Sequence, residues 1–143
     1  MKKIDFYLLS EAGKPALFLF ACKLVTTAYN RGHQVFIYCQ NEHDAHEIDE
    51  LLWTFDPVSF IPHNLQGEGP NTPPAVQIGF ADHAKDYYDI LINLSDHVPE
   101  FFQQFNRTCE IVSNEEQYKL HKRKNFLFYK QKNLQIITHE ISK

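Results

Sequence analysis

Apolar residues recur along the chain in two spacings, and the order of those spacings predicts alternating strands and helices. Residues 4–9 form a short apolar run that is typical of a buried strand. Residues 14–31 follow with apolar side chains three and four positions apart, as on the buried face of an amphipathic helix. Ser10 is placed to cap this helix and Gly32 to end it.

The same strand-then-helix order is repeated immediately. Residues 34–40 predict a second strand, and residues 42–54 predict a second helix with Asn41 as its N-cap. Further strands are predicted at residues 58–61, 76–80, 90–94, 110–112 and 134–141, and further helices at residues 99–105 and from Glu115, capped by Asn114. Such alternation implies right-handed crossovers between parallel strands, so residues 1–143 are predicted to form a single α/β domain.

Residues 126–129, Phe-Leu-Phe-Tyr, are apolar without a clear period, and two conformations are open for them. They can end the helix that begins at Glu115, or they can pair with residues 134–141 as a hairpin around residues 131–133. Periodicity alone does not choose between the two.

The composition is that of an ordinary globular protein, and it limits the classes of partner. Of the 143 residues, 43% are hydrophobic and 22% are charged, which argues against long disordered segments. The formal net charge is -4, so the surface as a whole does not attract nucleic acid. Only a local basic patch can oppose this average.

The three cysteines, Cys22, Cys39 and Cys109, are widely spaced and include no Cys-x-x-Cys pair. An odd number at such spacing is not a disulfide framework, and it suits a reducing compartment. The amino terminus has no secretory signal pattern, and no apolar run approaches the roughly 18 residues that span a bilayer. We therefore expect a cytoplasmic protein that makes no membrane contact.

An α/β chain invites a nucleotide-binding hypothesis, which needs glycines in the first strand-to-helix turn. That turn holds only Gly13, and the chain contains no Gly-x-Gly-x-x-Gly or Gly-Lys-Ser/Thr motif. Gly67 and Gly69 form a Gly-x-Gly, but no helical pattern follows them. We predict a Rossmann-like fold without its nucleotide motif, and no cofactor. A small nucleotide- or phosphate-binding enzyme stays open as an alternative, supported by the strand–helix alternation alone.

Candidate metal-binding and catalytic residues are few. His43 and His46 share a helix face and Cys39 lies one turn before them, but zinc needs three or four converging ligands. The simpler interpretation is that these histidines are solvated. No Gly-x-Ser-x-Gly nucleophile motif occurs, and Asp49 and Glu50 lie on a polar helix face. We predict no catalytic residue and no metal site.

Residues 48–70 crowd apolar side chains between proline and glycine breakers. The stretch contains the only tryptophan, Trp53, followed by Phe60-Ile61-Pro62-His63-Asn64-Leu65 and the turn-rich Gly67-Glu68-Gly69-Pro70. Such a stretch makes a poor regular element but a good rigid, apolar surface for a partner protein. The alternative is that Trp53 belongs to the core.

A basic stretch at residues 119–124 opposes the acidic average. Lys119 and Arg123 are four positions apart and share a helix face, and Phe126 lies three positions further on. A guanidinium beside an aromatic side chain and a second cation suits an acidic peptide tail, whose carboxylate Arg123 can bind at two points. Three alternatives stay open: a solvated charged helix face, a phosphate-binding patch, and direct binding of single-stranded nucleic acid through residues 122–132.

One motif is long and specific enough to indicate a family. It runs Asp49-Glu50-x-Leu52-Trp53 and then Phe60-x-Pro62-His63-Asn64-Leu65-x-Gly67-Glu68-Gly69-Pro70. It resembles the signature of the chi subunit of bacterial DNA polymerase III holoenzyme. The opening Phe-Tyr-Leu-Leu at residues 6–9, the strand at residues 89–94 and the basic helix agree with that family in layout. The resemblance spans essentially the whole chain, with its strict matches at residues 48–70.

The resemblance implies a non-enzymatic accessory subunit with a single three-layer α/β domain, whose mixed, largely parallel sheet is flanked by helices. It implies two partners. One is the psi subunit, which tethers chi to the clamp loader, and the other is the acidic C-terminal tail of single-stranded DNA-binding protein. Such a subunit links the polymerase machinery to the coated lagging-strand template, so it meets DNA only indirectly.

The resemblance also assigns residues to both partners. The psi-facing surface would comprise Trp53, Phe60, Pro62, His63, Asn64 and Leu65. The tail-binding site would comprise Val112, Lys119, Arg123 and Phe126, with Phe126 in place of a tyrosine. Two departures concern the tail site, since Leu127 takes the place of a lysine and Ile141 that of a tryptophan. The same alignment favours a helix for residues 126–130.

Overall fold

A computed structural model of the chain, which describes residues 2–56, 60–69 and 74–141, contains alternating strands and helices. The strands are β1 (Lys3–Leu9), β2 (Val35–Tyr38), β3 (His63–Leu65), β4 (Val76–Gly79), β5 (Ile90–Asn93), β6 (Arg107–Val112) and β7 (Gln135–Ile141). The helices are α1 (Lys14–Asn30), α2 (Glu42–Thr54) and α3 (Glu116–Gln131), with a 3₁₀ helix at Glu100–Gln104.

The described strands form one sheet in the order β3-β4-β2-β5-β6-β1-β7. Every pairing among them is parallel, from His63 opposite Val76 at one edge to Lys3 opposite Gln135 at the other. The predicted α/β class is therefore confirmed, while the antiparallel component of a mixed sheet is not found among the described strands. The first strand, β1, lies between β6 and β7, so the beginning of the chain pairs with its end.

The chain crosses the sheet in one direction and then returns. From β1 to β3 it moves toward the β3 edge through α1 and α2, and from β3 to β7 it moves back through the 3₁₀ helix and α3. Because parallel crossovers are right-handed, reversing the direction places the later connections on the opposite face. The helices therefore form two layers, α1 with α2 on one face and the 3₁₀ helix with α3 on the other.

Side chains that alternate along each strand fill two hydrophobic cores, one under each helix layer. Val35 and Ile37 pack under α1 and α2, whereas Phe36 and Tyr38 pack under the 3₁₀ helix and α3. Aromatic rings dominate the second core, where the ring centre of Phe36 lies 5.8 Å from that of Tyr87. Burial on both faces explains why the central strands are continuous apolar runs.

One predicted helix cap is confirmed and two are wrong. Asn41 Oδ1 accepts a hydrogen bond of 2.9 Å from the backbone N–H three residues on, at the start of α2. Helix α1 begins after Gly13, so Ser10 is not its N-cap. The N–H of Gly13 donates to Oε1 of Glu115 at 3.2 Å. Asn114 does not cap α3, whose N-cap is Glu115 without a side-chain cap bond, and Asn114 Nδ2 donates to the carbonyl oxygen of Ser10 at 3.2 Å. The segments that precede α1 and α3 thus contact each other through these two long-range hydrogen bonds.

The predicted strand at residues 58–61 is not found in its described part. Residues 57–59 lie outside the described residues, and Phe60 and Ile61 have no strand conformation. Strand β3 begins only at His63, because Pro62 has no N–H to donate to a neighbouring strand.

Residues 126–129 belong to α3, as the family resemblance favours, and do not form a hairpin. Strand β7 pairs in parallel with β1 and with no other described strand. Asn133 turns the chain between α3 and β7 with φ +59°, a left-handed conformation that asparagine tolerates.

Candidate functional site

The first candidate surface surrounds Trp53 in the last turn of α2. Trp53 is 50% exposed and Phe60 is 65% exposed, with their ring centres 5.5 Å apart. Three neighbouring residues are partly exposed, and we name the whole set the aromatic surface: Trp53, Phe60, Pro62, Asn64 and Leu65. The alternative that Trp53 belongs to the core is therefore wrong.

His63 is buried beneath the aromatic surface. Its side chain is 0% exposed, and its ring centre lies 4.4 Å from that of Trp53. Its Nδ1 lies 2.7 Å from the carbonyl oxygen of Ile61, and its Nε2 lies 3.3 Å from Oδ1 of Asp49 in α2. Burial raises the pKa of Asp49, an effect that the neighbouring His63 partly offsets. His63 thus joins β3 to α2 and supports Trp53 from below.

Asn64 shapes the turn that follows β3. Its Nδ2 donates to the carbonyl oxygen of Glu68 at 2.9 Å, and its Oδ1 accepts from Nε2 of Gln77 in β4 at 3.1 Å. Gly69 has φ +92°, and a Cβ atom there would collide with Nδ2 of Asn64. The glycine therefore gives Asn64 room to hold the turn at the border of the aromatic surface.

The second candidate surface is a cavity of about 440 Å³ between β1, β6 and α3, which we name the tail groove. It brings together all four residues that the family resemblance assigns to tail binding, Val112, Lys119, Arg123 and Phe126. The structure adds further lining residues that the sequence did not indicate: Phe6, Leu8, Leu9, Asn114 and Lys122.

The tail groove combines an apolar floor with a cationic rim. Phe126 packs edge-on against Phe6 with ring centres 5.3 Å apart, and Val112 is buried beside them. Arg123 is exposed and Lys119 is partly exposed one helical turn away. In the described part of the chain, no carboxylate lies within salt-bridge distance of either cation. Two free cations above an apolar floor suit a peptide end that carries both a carboxylate and an apolar side chain.

The basic stretch at residues 119–124 is only partly a surface feature. Lys122 is buried, and its Nζ donates to Oε1 of Glu110 in β6 at 2.6 Å. Burial alone would lower the pKa of Lys122, but the interactions with the Glu110 carboxylate and with Tyr118 together outweigh it and raise that pKa. Lys122 is therefore not a free cation, which weakens the alternative of a nucleic-acid patch along residues 122–132.

The two departures from the family pattern lie beside the tail groove rather than in it. Leu127 is exposed and follows Phe126 on α3 without lining the groove. Ile141 lines a neighbouring cavity of about 100 Å³, which shares Leu9 with the groove. No local signal predicts the β1 wall of the groove, because it depends on β1 pairing with β6 far along the chain.

A third cavity, of about 360 Å³, lies at the carboxyl ends of the strands, where α/β proteins often bind phosphates. Its lining includes the carboxylates Asp44, Asp96 and Glu115. Its lysine, Lys14, is already paired with Asp44 at 2.9 Å. Carboxylates repel phosphate groups, so this cavity gives the nucleotide-enzyme alternative no support.

The buried cysteines are not candidates for nucleophilic chemistry. Burial raises the pKa of the Cys22 and Cys109 thiols to about 12, so both stay protonated at neutral pH.

Among residues 2–56, 60–69 and 74–141, no three histidine, cysteine, aspartate or glutamate side chains come together as metal ligands. Within the same ranges, no helix has the length and apolar content needed to cross a bilayer.

Comparison with known proteins gives one consistent family. A family model described as "DNA polymerase III chi subunit, HolC" matches residues 1–137. DNA polymerase III subunit chi of Pseudomonas aeruginosa is 33% identical over 141 residues, covering 99% of this chain and 98% of that protein. The chi subunits of Haemophilus influenzae and Escherichia coli are 35% and 32% identical over 135 residues, covering 94% and 91% of this chain and 92% of each protein. The chain therefore belongs to the DNA polymerase III chi subunit family.

Proposed function

We propose that this replication accessory subunit is a non-catalytic adaptor between two proteins. The aromatic surface binds the psi subunit of the clamp loader, and the tail groove binds the acidic C-terminal tail of single-stranded DNA-binding protein. The chain thereby links DNA polymerase III holoenzyme to the coated lagging-strand template in the cytoplasm. Membership of the chi subunit family supports a role in replication, and the net charge of -4 suits a protein that meets DNA only through a partner.

The observation that carries the proposal is the convergence of Val112, Lys119, Arg123 and Phe126 in one groove. Val112 comes from β6 and the other three residues come from α3, so only the folded chain assembles them. Their chemistry is complementary to an acidic tail with an apolar end, since cations face the carboxylates and the floor takes the side chain.

Arg123 is the group we expect to hold the terminal carboxylate of the tail. Its planar guanidinium can donate two parallel hydrogen bonds to one carboxylate, which a lysine cannot do. Lys119, one turn earlier, adds a second positive charge for the acidic residues that precede the end of the tail. Both cations lie near solvent, so added salt should weaken tail binding.

Replacing Arg123 tests the tail groove directly. We expect Arg123→Ala to weaken binding of an acidic peptide that ends in a free phenylalanine carboxylate by about 1.5–3 kcal/mol, roughly ten- to a hundredfold. Isothermal titration calorimetry measures this change. Lys124→Ala is the matched control, because it removes the same charge from an exposed position of α3 that does not line the groove.

Equal affinities for wild type and Arg123→Ala would remove the assignment of the tail groove. Equal losses for Arg123→Ala and Lys124→Ala would also count against it, because they would indicate a general charge effect rather than a specific carboxylate contact.

The aromatic surface is supported as the psi-binding region by the exposure of Trp53 and Phe60. Two adjacent exposed aromatic rings are unusual on a surface that meets only water. Aromatic anchors of this kind carry much of the energy of protein interfaces. His63 beneath Trp53 holds the ring in place before a partner arrives, which lowers the entropic cost of binding.

Trp53→Ala tests the aromatic surface. We expect loss of co-purification with psi, since truncating an interface anchor costs at least about 2 kcal/mol. Far-ultraviolet circular dichroism should show a folded protein, because half of Trp53 is already exposed. Tyr88→Ala, another exposed aromatic residue outside this surface, is the control and should retain psi. Psi retained by Trp53→Ala, or global unfolding of that variant, would contradict the assignment.

A further inference from the structure

Helix α3, which supplies three of the four assigned residues of the tail groove, is attached to the sheet in an unusual way. Its buried residues are Lys122, Asn125 and Tyr129, none of them aliphatic. Two of these three side chains, Lys122 and Tyr129, end on the same carboxylate, that of Glu110 in β6. Besides the packing of Phe126 and Tyr129 against Phe6, the placement of α3 therefore depends on one polar group.

The Glu110 carboxylate is fully paired inside the protein. Its Oε1 accepts from Lys122 Nζ at 2.6 Å, and its Oε2 accepts from the Tyr129 hydroxyl at 2.5 Å and from Asn93 Nδ2 at 2.9 Å. Lys122 Nζ also donates to the carbonyl oxygens of Ser95 at 2.8 Å and Asn93 at 3.3 Å. The side chains of Glu110 and Lys122 are 0% and 2% exposed. These directional bonds fix both the rotation of α3 and its position along β6.

We propose that the buried Glu110–Lys122 pair is the positioning element of the tail groove. Glu110 precedes Val112 by two residues and shares its face of the sheet. Lys122 lies between Lys119 and Phe126 on one stripe of α3. The pair therefore sets the spacing between the β6 floor and the α3 cations. This inference rests on the proposed function of the groove. It assigns a role through neighbouring residues to Glu110, which does not line the groove, and to the buried ammonium of Lys122, whose side chain also borders the groove.

A stabilising role alone does not explain an ion pair at this place. Apolar side chains of similar volume commonly replace a buried ion pair without loss of stability. Apolar packing is less directional, however, so it would let α3 slide or rotate against β6. A groove that must hold a carboxylate at two points is sensitive to such movement, because hydrogen bonds weaken steeply with distance and angle.

A double variant separates positioning from stability. Glu110→Gln combined with Lys122→Met removes one negative and one positive charge, so the net charge near the groove is unchanged. The glutamine oxygen can still accept from Tyr129 and Asn93. We expect a urea unfolding midpoint close to that of the wild type, together with a loss in affinity for the acidic tail peptide of about three- to thirtyfold. Unchanged affinity at unchanged stability would overturn the inference.

Two further variants show whether a change in peptide affinity comes from the positioning of α3 or from a wrongly assigned groove. Tyr129→Phe is measured beside the double variant, and replaces it if that variant does not fold, because Tyr129 does not line the groove and the change removes one bond to Glu110 with all charges intact. We then expect an affinity loss of about threefold, and unchanged affinity overturns the inference. Arg123→Ala is measured in parallel. If it binds the peptide as the wild type does, the tail groove itself is wrongly assigned. If only Arg123→Ala weakens binding, the groove stands and the positioning role fails.

Discussion

The side chain of His63 lies beneath Trp53 and joins helix α2 to strand β3. Both of its ring nitrogens face oxygen atoms, those of Ile61 and Asp49, so the imidazole is held in one orientation. A residue in this position would influence the binding of a partner protein through the indole ring of Trp53, which lies above it. We therefore expect His63 to act as a support beneath the proposed psi-binding surface, whereas the family resemblance assigns it to that surface as a contact residue.

His63→Ala should weaken psi binding without unfolding the chain. Removing the imidazole leaves a gap under Trp53, so the indole gains freedom that it must lose again on binding. Because Trp53 is the only tryptophan, intrinsic fluorescence reports on its surroundings alone, and we expect a shifted emission maximum. His43→Ala on the exposed side of α2 is the control. An unshifted spectrum with unchanged psi binding would contradict this role.

At the scale of single elements, local signals predicted the first half of the fold well. The apolar spacing of α1 and α2 and the Asn41 cap are properties of a few neighbouring residues, and the structure confirms them. The predictions of Ser10 and Asn114 as caps are wrong because the contacts made there join residues that are distant in sequence. Glu115 supplies the acceptor for the N–H of Gly13 from about a hundred residues away, a contact that no local pattern contains.

Helix α3 shows why periodicity left residues 126–129 undecided. A hydrophobic pattern counts lysine and asparagine as exposed, yet Lys122 and Asn125 are buried in this helix. The buried face of α3 is instead the face that contacts Glu110. The sequence does not show which residues pair with Glu110. Of the four residues assigned to the tail, Lys119, Arg123 and Phe126 are predicted from the pattern of the helix itself, and Val112 through the family resemblance. The β1 wall is not predicted, because strand order is not a local property.

At the scale of the whole molecule, the two candidate surfaces are well separated. The aromatic surface lies at β3 and α2, and the tail groove lies at β6, β1 and α3, in the opposite helix layer. In the sheet order, β3 and β6 are four strand positions apart, which is roughly 19 Å at about 4.8 Å per strand. The surfaces share no described residue, so one partner should not block the other.

The stability of the molecule should fall in alkaline solution. Burial raises the pKa of Cys22 and Cys109 from 9.0 and of Tyr7 and Tyr87 from 10.0 to about 12. Above about pH 9 the unfolded chain releases these protons while the folded chain keeps them, so stability is lost as pH rises toward about 12. Urea unfolding midpoints should fall across this range, and less steeply for Cys22→Ala. A constant midpoint would contradict the burial of these groups.

The most direct test of the adaptor is a calorimetric titration of the acidic tail peptide into the chain alone and into the chain saturated with psi. We expect one peptide to bind per chain in both cases, with affinities that agree within about twofold, since distant sites act independently. Loss of peptide binding in the presence of psi, or its absence in both titrations, would contradict the account.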